Sequence, residues 1–205
     1  MTETAYRKAD YPIDVRFLER WSPRAFTDDT MPEADLLTMI EAGRWAASSY
    51  NSQPWRFVYG LRGTLHFDKL LGLLVEFNQG WAKSAAALVV VVSNSLMLQP
   101  GAETPVPSYS HSLDTGAATA YFALQATLMG YQAHGMVGLD KERAFAELHV
   151  PAGYRVEAAY AVGRQGNKTQ LPEMLQQREA PSPRKPLAEL AFAGAFPGPG
   201  ASDGI

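Results

Sequence analysis

The chain has 205 residues, of which 46% are hydrophobic and 19% are charged, and its formal net charge is −3. This length and composition are typical of one globular domain with a substantial core. The weakly acidic balance disfavours nucleic acid and anionic membranes as partners. The chain contains no cysteine, which excludes disulfides, thiolate nucleophiles and zinc–thiolate sites. Neither a secretory signal nor a membrane-spanning run is visible, so we expect a cytoplasmic protein.

Helical and extended patterns alternate along the chain, which predicts an α+β or α/β domain. Thr30 is expected to cap the first clear helix, because Glu33 follows it at the spacing of a capping box. That helix is predicted to end near Ala47. The later pattern predicts, in chain order, a strand over 55–59, a helix over 65–77, a doubly covered strand over 85–92, a loop over 94–110, a largely buried helix over 111–131, a short strand over 134–138, a helix over 140–148 capped by Asp140, and a strand over 156–162.

The chain after Gly163 is polar and rich in proline and glycine. It contains too few apolar residues to fold alone, so we expect residues 164–193 to dock on a partner subunit. Within that tail, only Leu187–Phe192 is predicted to be capable of packing. Residues 194–205 are predicted to be disordered. The domain is therefore expected to span residues 1–193.

The segment Arg20-Trp21-Ser22-Pro23-Arg24 places two guanidinium groups and one hydroxyl within five residues. Arginine matches phosphate oxygens in a bidentate manner, and serine adds a short donor. A surface turn with two solvated arginines has the same composition. The motif alone therefore leaves phosphate binding and a plain turn both open.

A second polar cluster, Ser48-Ser49-Tyr50-Asn51-Ser52-Gln53, lies between a predicted helix and the Pro54-Trp55 pair. Its amides can present a donor and an acceptor side by side, as the edge of a pyrimidine ring requires. Helix capping before a core tryptophan is the competing interpretation, and the residues favour neither. Taken alone, the glycines of residues 134–138 favour a tight turn. The basic pair at residues 184–185, taken alone, favours a solvated surface patch.

No motif predicts a catalytic side chain or a metal ion. The four histidines are scattered and lack the spacing of metal ligands, so no metal site is expected. The sequence also lacks a nucleophile elbow, a Walker loop and a dinucleotide-binding glycine fingerprint.

In their order and spacing, these segments resemble the FMN-dependent nitroreductase family. The resemblance covers the chain from about Phe17 to Phe192, and the clusters at 20–24 and 48–55 carry most of it. Further matches are Asn78 ahead of Trp81-Ala82, Asp114-Thr115-Gly116, His134–Asp140, the strand ending at Gly163, and Arg184-Lys185-Pro186.

The resemblance implies an α+β three-layer sandwich with a mixed, mostly antiparallel central sheet flanked by helices. It implies a segment-exchanged homodimer with FMN (flavin mononucleotide) at the subunit interface. The residues that the resemblance places at the flavin are Arg20, Ser22, Arg24 and Arg184 at the phosphate, Trp21 at a backbone contact, Asn78 at the pyrimidine edge, Ser48, Ser49 and Asn51 from the partner subunit, and Met136, Val137 and Gly138 near N5.

The implied activity is ping-pong transfer of hydride from NAD(P)H through FMN to a flat electrophile, such as a nitroaromatic, a quinone or an activated alkene. Because the cofactor performs the chemistry, no catalytic side chain is needed. A specialised flavin dehydrogenase or dehalogenase, and a flavin sensor or carrier without turnover, are the alternatives. Phe77, Trp81 and Tyr109 are candidates for the acceptor pocket, with ordinary packing as the competing interpretation.

The sequence departs from the family pattern at Ala47, where a proline is common, at Gly135, and at Arg164-Gln165, where Tyr-Pro is common. Gly135 stands where a glutamine is common and is expected to widen the pocket or to loosen the geometry at N5. Arg164 stands in place of a tyrosine and is expected either to contact the phosphate or to be solvated.

Overall fold

A four-stranded sheet forms the centre of the computed structural model, which describes residues 7–197. In chain order its strands are β1 (Trp55–Leu61), β2 (Ala87–Asn94), β5 (Gln132–Met136) and β6 (Tyr154–Gly163). They lie in the order β1-β2-β6-β5, and all three pairings are antiparallel. The predicted α+β class is confirmed, although this sheet is antiparallel throughout rather than mixed.

Helices cover both faces of the sheet and complete the three layers. The α-helices are α1 (Arg16–Glu19), α2 (Glu33–Arg44), α3 (Leu65–Gly72), α4 (Glu76–Ala82), α5 (His111–Leu128), α6 (Lys141–Glu147) and α7 (Glu173–Gln176). One core contains side chains of α2 and α5, and the other contains side chains of α3, α4 and α6.

Strand β2 shows why this layering follows from the sequence. Its residues alternate between the two faces of the sheet, as the pleat requires. Leu88, Val90 and Val92 join the core beneath α3 and α4, whereas Val89 and Val91 join the core beneath α2 and α5. The valine-rich run is therefore apolar at every position because both faces of the strand are buried, which confirms the prediction of a doubly covered strand.

Two predictions about helix boundaries were wrong. Thr30 does not cap α2, because the helix begins two residues later than predicted, with Pro32 at the N-cap. The single helix predicted over 65–77 is instead divided into α3 and α4. Leu74 forms an isolated bridge with Leu139, and the backbone of Leu73 accepts a hydrogen bond from Asp140 N. These tertiary backbone contacts replace the continuation of the helix.

The predicted loop over 94–110 contains a small antiparallel ribbon of β3 (Leu96–Met97) and β4 (Val106–Pro107). Helix α5 follows it and is buried on one face only. Leu113, Tyr121 and Leu128 are exposed on α5, so the helix presents an apolar surface to solvent. In the described part of the chain, no helix is both long and apolar enough to cross a membrane.

The first part of the tail packs against its own domain, which corrects the expectation that only Leu187–Phe192 could pack. Gln165 forms an isolated antiparallel β-bridge with Phe26. Leu171 and Leu175 are buried in the core beside α3 and α4. Beyond residue 181 the described tail is exposed, including the short 3-10 turn Leu187–Glu189. Of the stretch predicted to be disordered, residues 198–205 lie outside the described residues.

Candidate functional site

A cavity of about 580 Å³ opens between α1, α5 and the edge strand β5. Arg20 and Ser22 supply its polar groups from the loop after α1, while the sheet supplies Gly135 and Tyr160. Most of the remaining lining residues are small or apolar: Phe17, Gly116, Thr119, Ala120, Tyr121, Ala123, Leu124 and Ala133. An apolar cleft with a cationic group at one place suits a flat ligand that carries an anion.

Arginine side chains from separate parts of the chain meet beside this cavity. Partial burial and then the positive charge of Arg184 lower the pKa of Arg20. The same two causes, in the same order, lower the pKa of Arg7, and the charge of Arg20 adds to them. Among the described residues, none of the three forms a salt bridge with a carboxylate. The tail near Ser182 therefore lies close to the loop after α1. The joint contact of Arg20 and Arg184 with a phosphate stays a prediction.

Arg7 was missed at the level of sequence. It lies ten residues before the start of the recognised pattern, in a polar segment without a motif. Its Nη1 donates hydrogen bonds to the backbone oxygens of Leu18 and Arg20, at 3.0 and 2.7 Å. Only the folded chain shows this contact.

Arg24 faces a carboxylate rather than the cavity. Its Nη1 lies 3.9 Å from Oε2 of Glu179, a residue of the tail whose side chain is 3% exposed. The other carboxylate oxygen of Glu179 accepts hydrogen bonds from the backbone amides of Arg24 and Ala25, at 2.6 and 2.8 Å. This ion pair holds the end of the 20–24 loop, and Arg24 does not line the cavity. Its contact with a phosphate stays a prediction.

His134 holds the same loop from the sheet. Its Nδ1 lies 2.9 Å from the carbonyl oxygen of Pro23, which can only accept, so Nδ1 carries the hydrogen. The ring packs on Trp81 at 4.6 Å between centroids. Burial is the main cause that lowers the pKa of His134 to about 4, with a further contribution from the charge of Arg24. The imidazole is therefore neutral at pH 7 and serves as a fixed hydrogen-bond donor.

The buried imidazole predicts a specific loss of stability in acid. The folded-state pKa of His134 is about 4, and that of an unfolded histidine is about 6.5. Only the unfolded chain takes up this proton between those values, so stability is complete above about pH 6.5 and falls towards pH 4. The loss between pH 7 and pH 4.5 is expected to be roughly 2–3 kcal/mol from this group.

The variant His134→Asn retains a neutral donor near Pro23 but does not titrate. We expect its free energy of unfolding, measured with urea, to fall less than that of the wild type between pH 7 and pH 4.5. Equal falls in the two proteins would show that His134 does not cause the loss.

Asn78 is positioned by neighbours from two elements. Its Nδ2 donates to the backbone oxygen of Gly138 at 3.0 Å, and its Oδ1 accepts from Nε1 of Trp81 at 3.3 Å. A Cβ at position 138 would lie 2.5 Å from Asn78 Nδ2, so this approach requires glycine. One hydrogen of the Asn78 amide remains for another acceptor. Trp81 is 2% exposed and thus supports Asn78 and His134, in contrast to its predicted place in the wall of an acceptor pocket.

Backbone donors are free where β5 ends. β5 is an edge strand, and Met136 is its last paired residue. The backbone amides of Val137 and Gly138 donate no hydrogen bond to any described residue. Val137 is 72% exposed, so its amide lies in an accessible segment. Met136, by contrast, is buried in the core.

The Tyr160 side chain, from the neighbouring strand β6, fills the space that a side chain at Gly135 would occupy. Gly135 pairs with Tyr160 across the sheet, and a Cβ on Gly135 would lie 2.8 Å from the Tyr160 ring. The glycine therefore admits an aromatic wall to the cavity, which corrects the expectation of a wider pocket. Arg164 is held elsewhere, since its guanidinium lies 4.4 Å from the ring centroid of Tyr131 and donates to Gly130 O at 3.3 Å.

The second polar cluster forms a strained turn outside the cavity. Tyr50, Asn51 and Gln53 all have positive φ, between 45° and 53°. Such backbone conformations are costly and often occur at functional sites. The amide of Ser49 donates to Asp114 Oδ2 at 3.1 Å, and Ser48 Oγ accepts from the Gln53 amide at 3.0 Å.

The turn exposes groups that its own chain does not use. The side chains of Ser49 and Asn51 make no hydrogen bonds with described residues, and Ser48, Ser49 and Asn51 do not line the cavity of their own chain. Phe77 and Tyr109 also lie outside the cavity lining, and both are exposed.

Residues 18–62, which include the arginine loop and the strained turn, match the family model described as the nitroreductase family. A solved structure described as an oxidoreductase containing FMN is 46% identical, with 97% of this chain and 100% of that chain covered and a TM-score of 0.91. The chain belongs to the nitroreductase family.

Two other relatives of this nitroreductase-family protein match different shares of the chain. An uncharacterized 15.4 kDa protein of Mycolicibacterium smegmatis is 33% identical, over 70% of this chain and 99% of the relative. An oxygen-insensitive NADPH nitroreductase of Helicobacter pylori is 37% identical, but over only 38% of this chain and 35% of the relative. The family assignment thus rests on the family model together with the 46% identical structure, which matches nearly the whole chain.

Proposed function

We propose that this protein is an FMN-dependent oxidoreductase that binds its cofactor along the edge strand β5. The observation that carries this proposal is that Arg20 lines a largely apolar cavity, while Arg7 joins its backbone to that of Ser182, two residues before Arg184. Neither Arg20 nor Arg184 has a carboxylate partner in the described chain. This arrangement fits a flat ring system that ends in a phosphate. The 46% identical protein that contains FMN supports the same assignment.

The residues available to hold FMN divide into two groups along β5. Arg20, Ser22 and Arg184 would bind the phosphate, because fixed positive charges and a hydroxyl are suited to its oxygens. The free amides of Val137 and Gly138 and the remaining hydrogen of Asn78 would bind polar atoms of the ring. When bound, FMN supplies two-electron transfer, which no side chain of the site can supply.

Residues next to the proposed flavin site fix its hydrogen-bond donors. Asn78 bonds to Gly138 and to Trp81, so the donors near the end of β5 are fixed before a ligand arrives. Such preorganisation reduces the ordering cost of binding. Tyr160 forms one wall of the cavity, and a flat donor or acceptor would stack on the flavin from the side that faces solvent.

We further propose a homodimer in which the strained turn reaches the flavin of the partner subunit. The free side chains of Ser49 and Asn51 would then find their acceptors there. The exposed apolar residues of α5, including Tyr121 and Leu128, would be buried against the partner. Phe77 and Tyr109 are exposed and remain candidates for contact with an electron acceptor.

The proposed cycle is ping-pong. FMN held by Arg20, Ser22 and Arg184 would accept a hydride from NAD(P)H, which would then leave. A nitroaromatic, a quinone or an activated alkene would take the two electrons from the reduced flavin, with protons from the flavin or from solvent. The nitroreductase of H. pylori, described as NADPH-dependent, supports this donor class.

Anaerobic reduction tests this function. FMN-loaded protein is mixed with NADH or NADPH in a stopped-flow spectrometer, and the oxidised flavin band is followed. At least one nucleotide is expected to bleach the band, and a nitroaromatic or a quinone is expected to restore it. Bound flavin that neither nucleotide can reduce would contradict the proposed enzyme and would favour a carrier.

A further inference from the structure

Arg7 joins the two segments that carry the arginines of the proposed phosphate site. Its Nη1 donates to the backbone oxygens of Leu18 and Arg20 at 3.0 and 2.7 Å. Its Nε donates to the backbone oxygen of Ser182 at 3.0 Å. Ser182 lies two residues before Arg184, so one side chain connects the loop after α1 with the tail.

These bonds leave part of the Arg7 guanidinium unused. A guanidinium has five N–H donors, and the three bonds to carbonyl oxygens leave both hydrogens of Nη2. Within residues 7–197, no carboxylate lies within salt-bridge distance of Arg7. Both hydrogens of Nη2 are therefore available to an anion.

The charges point to a ligand for that edge. The hydrogen bonds of Arg7 place it beside Arg20 and beside the tail segment that carries Arg184. After the effect of burial, the charge of Arg184 lowers the pKa of both Arg7 and Arg20. Converging cations without a counter-charge destabilise the folded chain unless an anion binds between them. A phosphate dianion has oxygens for several guanidinium groups at once.

We propose that Arg7 is a third phosphate-binding arginine and that it increases the selectivity of this site for a phosphorylated flavin over one without phosphate. This inference rests on the proposed FMN function and adds to it a residue from the N-terminal segment. Arg7 binds two neighbouring backbone segments with three hydrogens and turns the other two towards the phosphate.

The test compares Arg7→Ala and Arg7→Gln with the wild type in titrations of apoprotein with FMN and riboflavin. The glutamine retains a donor for a backbone carbonyl but removes the charge. We expect both variants to bind FMN about ten- to hundredfold more weakly, as for the loss of a charge-assisted contact. Riboflavin affinity is expected to change less than twofold.

Arg16→Ala is the matched control, because Arg16 is exposed and pairs only with Asp14 in the described chain. It removes the same charge from the same segment and is expected to leave both affinities unchanged. Circular dichroism checks that each variant is folded. Unchanged FMN affinity in Arg7→Gln, or equal weakening for FMN and riboflavin, would overturn the proposal.

Thermal unfolding of the apoprotein with inorganic phosphate tests the anion site independently of FMN binding. We expect phosphate to raise the thermal midpoint of wild-type apoprotein and of Arg16→Ala, but to raise that of Arg7→Gln much less. Equal protection of all three proteins would overturn the role of Arg7. Protection that depends on Arg7, together with no binding of FMN, would support the anion site and reject the cofactor.

Discussion

Replacement of Arg20 by alanine is expected to weaken FMN binding by about a hundredfold or more. Arg20 lines the cavity, and its side chain makes no hydrogen bond to a described residue, so its donors are free for a phosphate. Two charge-assisted hydrogen bonds at roughly 1.5 kcal/mol each account for a factor of this size. Quenching of flavin fluorescence during titration of the apoprotein measures the change.

The control for this prediction is Arg143→Ala, since Arg143 pairs with Glu147 on α6, away from the cavity lining. The FMN affinity of this variant should equal that of the wild type. Because Arg20 is exposed to the cavity, Arg20→Ala should also retain its unfolding midpoint in urea. An Arg20→Ala protein that is folded and binds FMN with wild-type affinity would contradict the assigned phosphate site.

Replacement of Glu179 by alanine is expected to lower the free energy of unfolding by about 3–5 kcal/mol, as for a broken buried ion pair. The carboxylate is almost fully buried and accepts from the amides of Arg24 and Ala25 while it faces the Arg24 guanidinium. Its loss leaves two buried amides and one partly buried charge without their partner. Urea unfolding at pH 7 measures the loss.

Glu179→Gln separates charge from hydrogen bonding at this position. The glutamine oxygen can still accept from the two amides, so we expect a smaller loss than for alanine. Glu189→Ala is the control in the same tail, because Glu189 and its partner Lys185 are exposed. Its effect should lie within about 0.5 kcal/mol. An alanine variant at 179 as stable as this control would show that the tail does not hold the 20–24 loop.

The positions of most elements could be predicted because local patterns determine them. The alternation of β2 between two cores and the cap of α6 by Asp140 both follow from neighbouring residues. The expectation that Arg20 and Arg184 belong to one site came only from the resemblance to a family. No local signal connects two positions so far apart in the sequence.

The contacts that were missed link distant parts of the chain. Glu179 bonds to the 20–24 loop from more than 150 residues away, and Arg7 bonds to Ser182 across 175 residues. In both cases a side chain binds backbone atoms, which the sequence pattern does not mark. The break between α3 and α4 was missed for a similar reason, since the backbone near Leu139 competes with the helix.

Trp81 shows how an aromatic residue can be misassigned from sequence. A tryptophan beside a proposed flavin contact suggests a pocket wall, but this indole is buried between Phe26 and His134. Its effect on the site is indirect, because it holds the Asn78 amide and covers the imidazole that binds Pro23. The opposite occurs at Tyr160, which becomes a pocket wall because Gly135 has no side chain.

The absorbance spectrum of the purified protein, after incubation with FMN and removal of the free flavin, shows directly whether this protein binds FMN. We expect a yellow protein with an oxidised flavin spectrum, from which heating releases FMN rather than FAD or riboflavin. A folded protein that remains colourless after this treatment would contradict it.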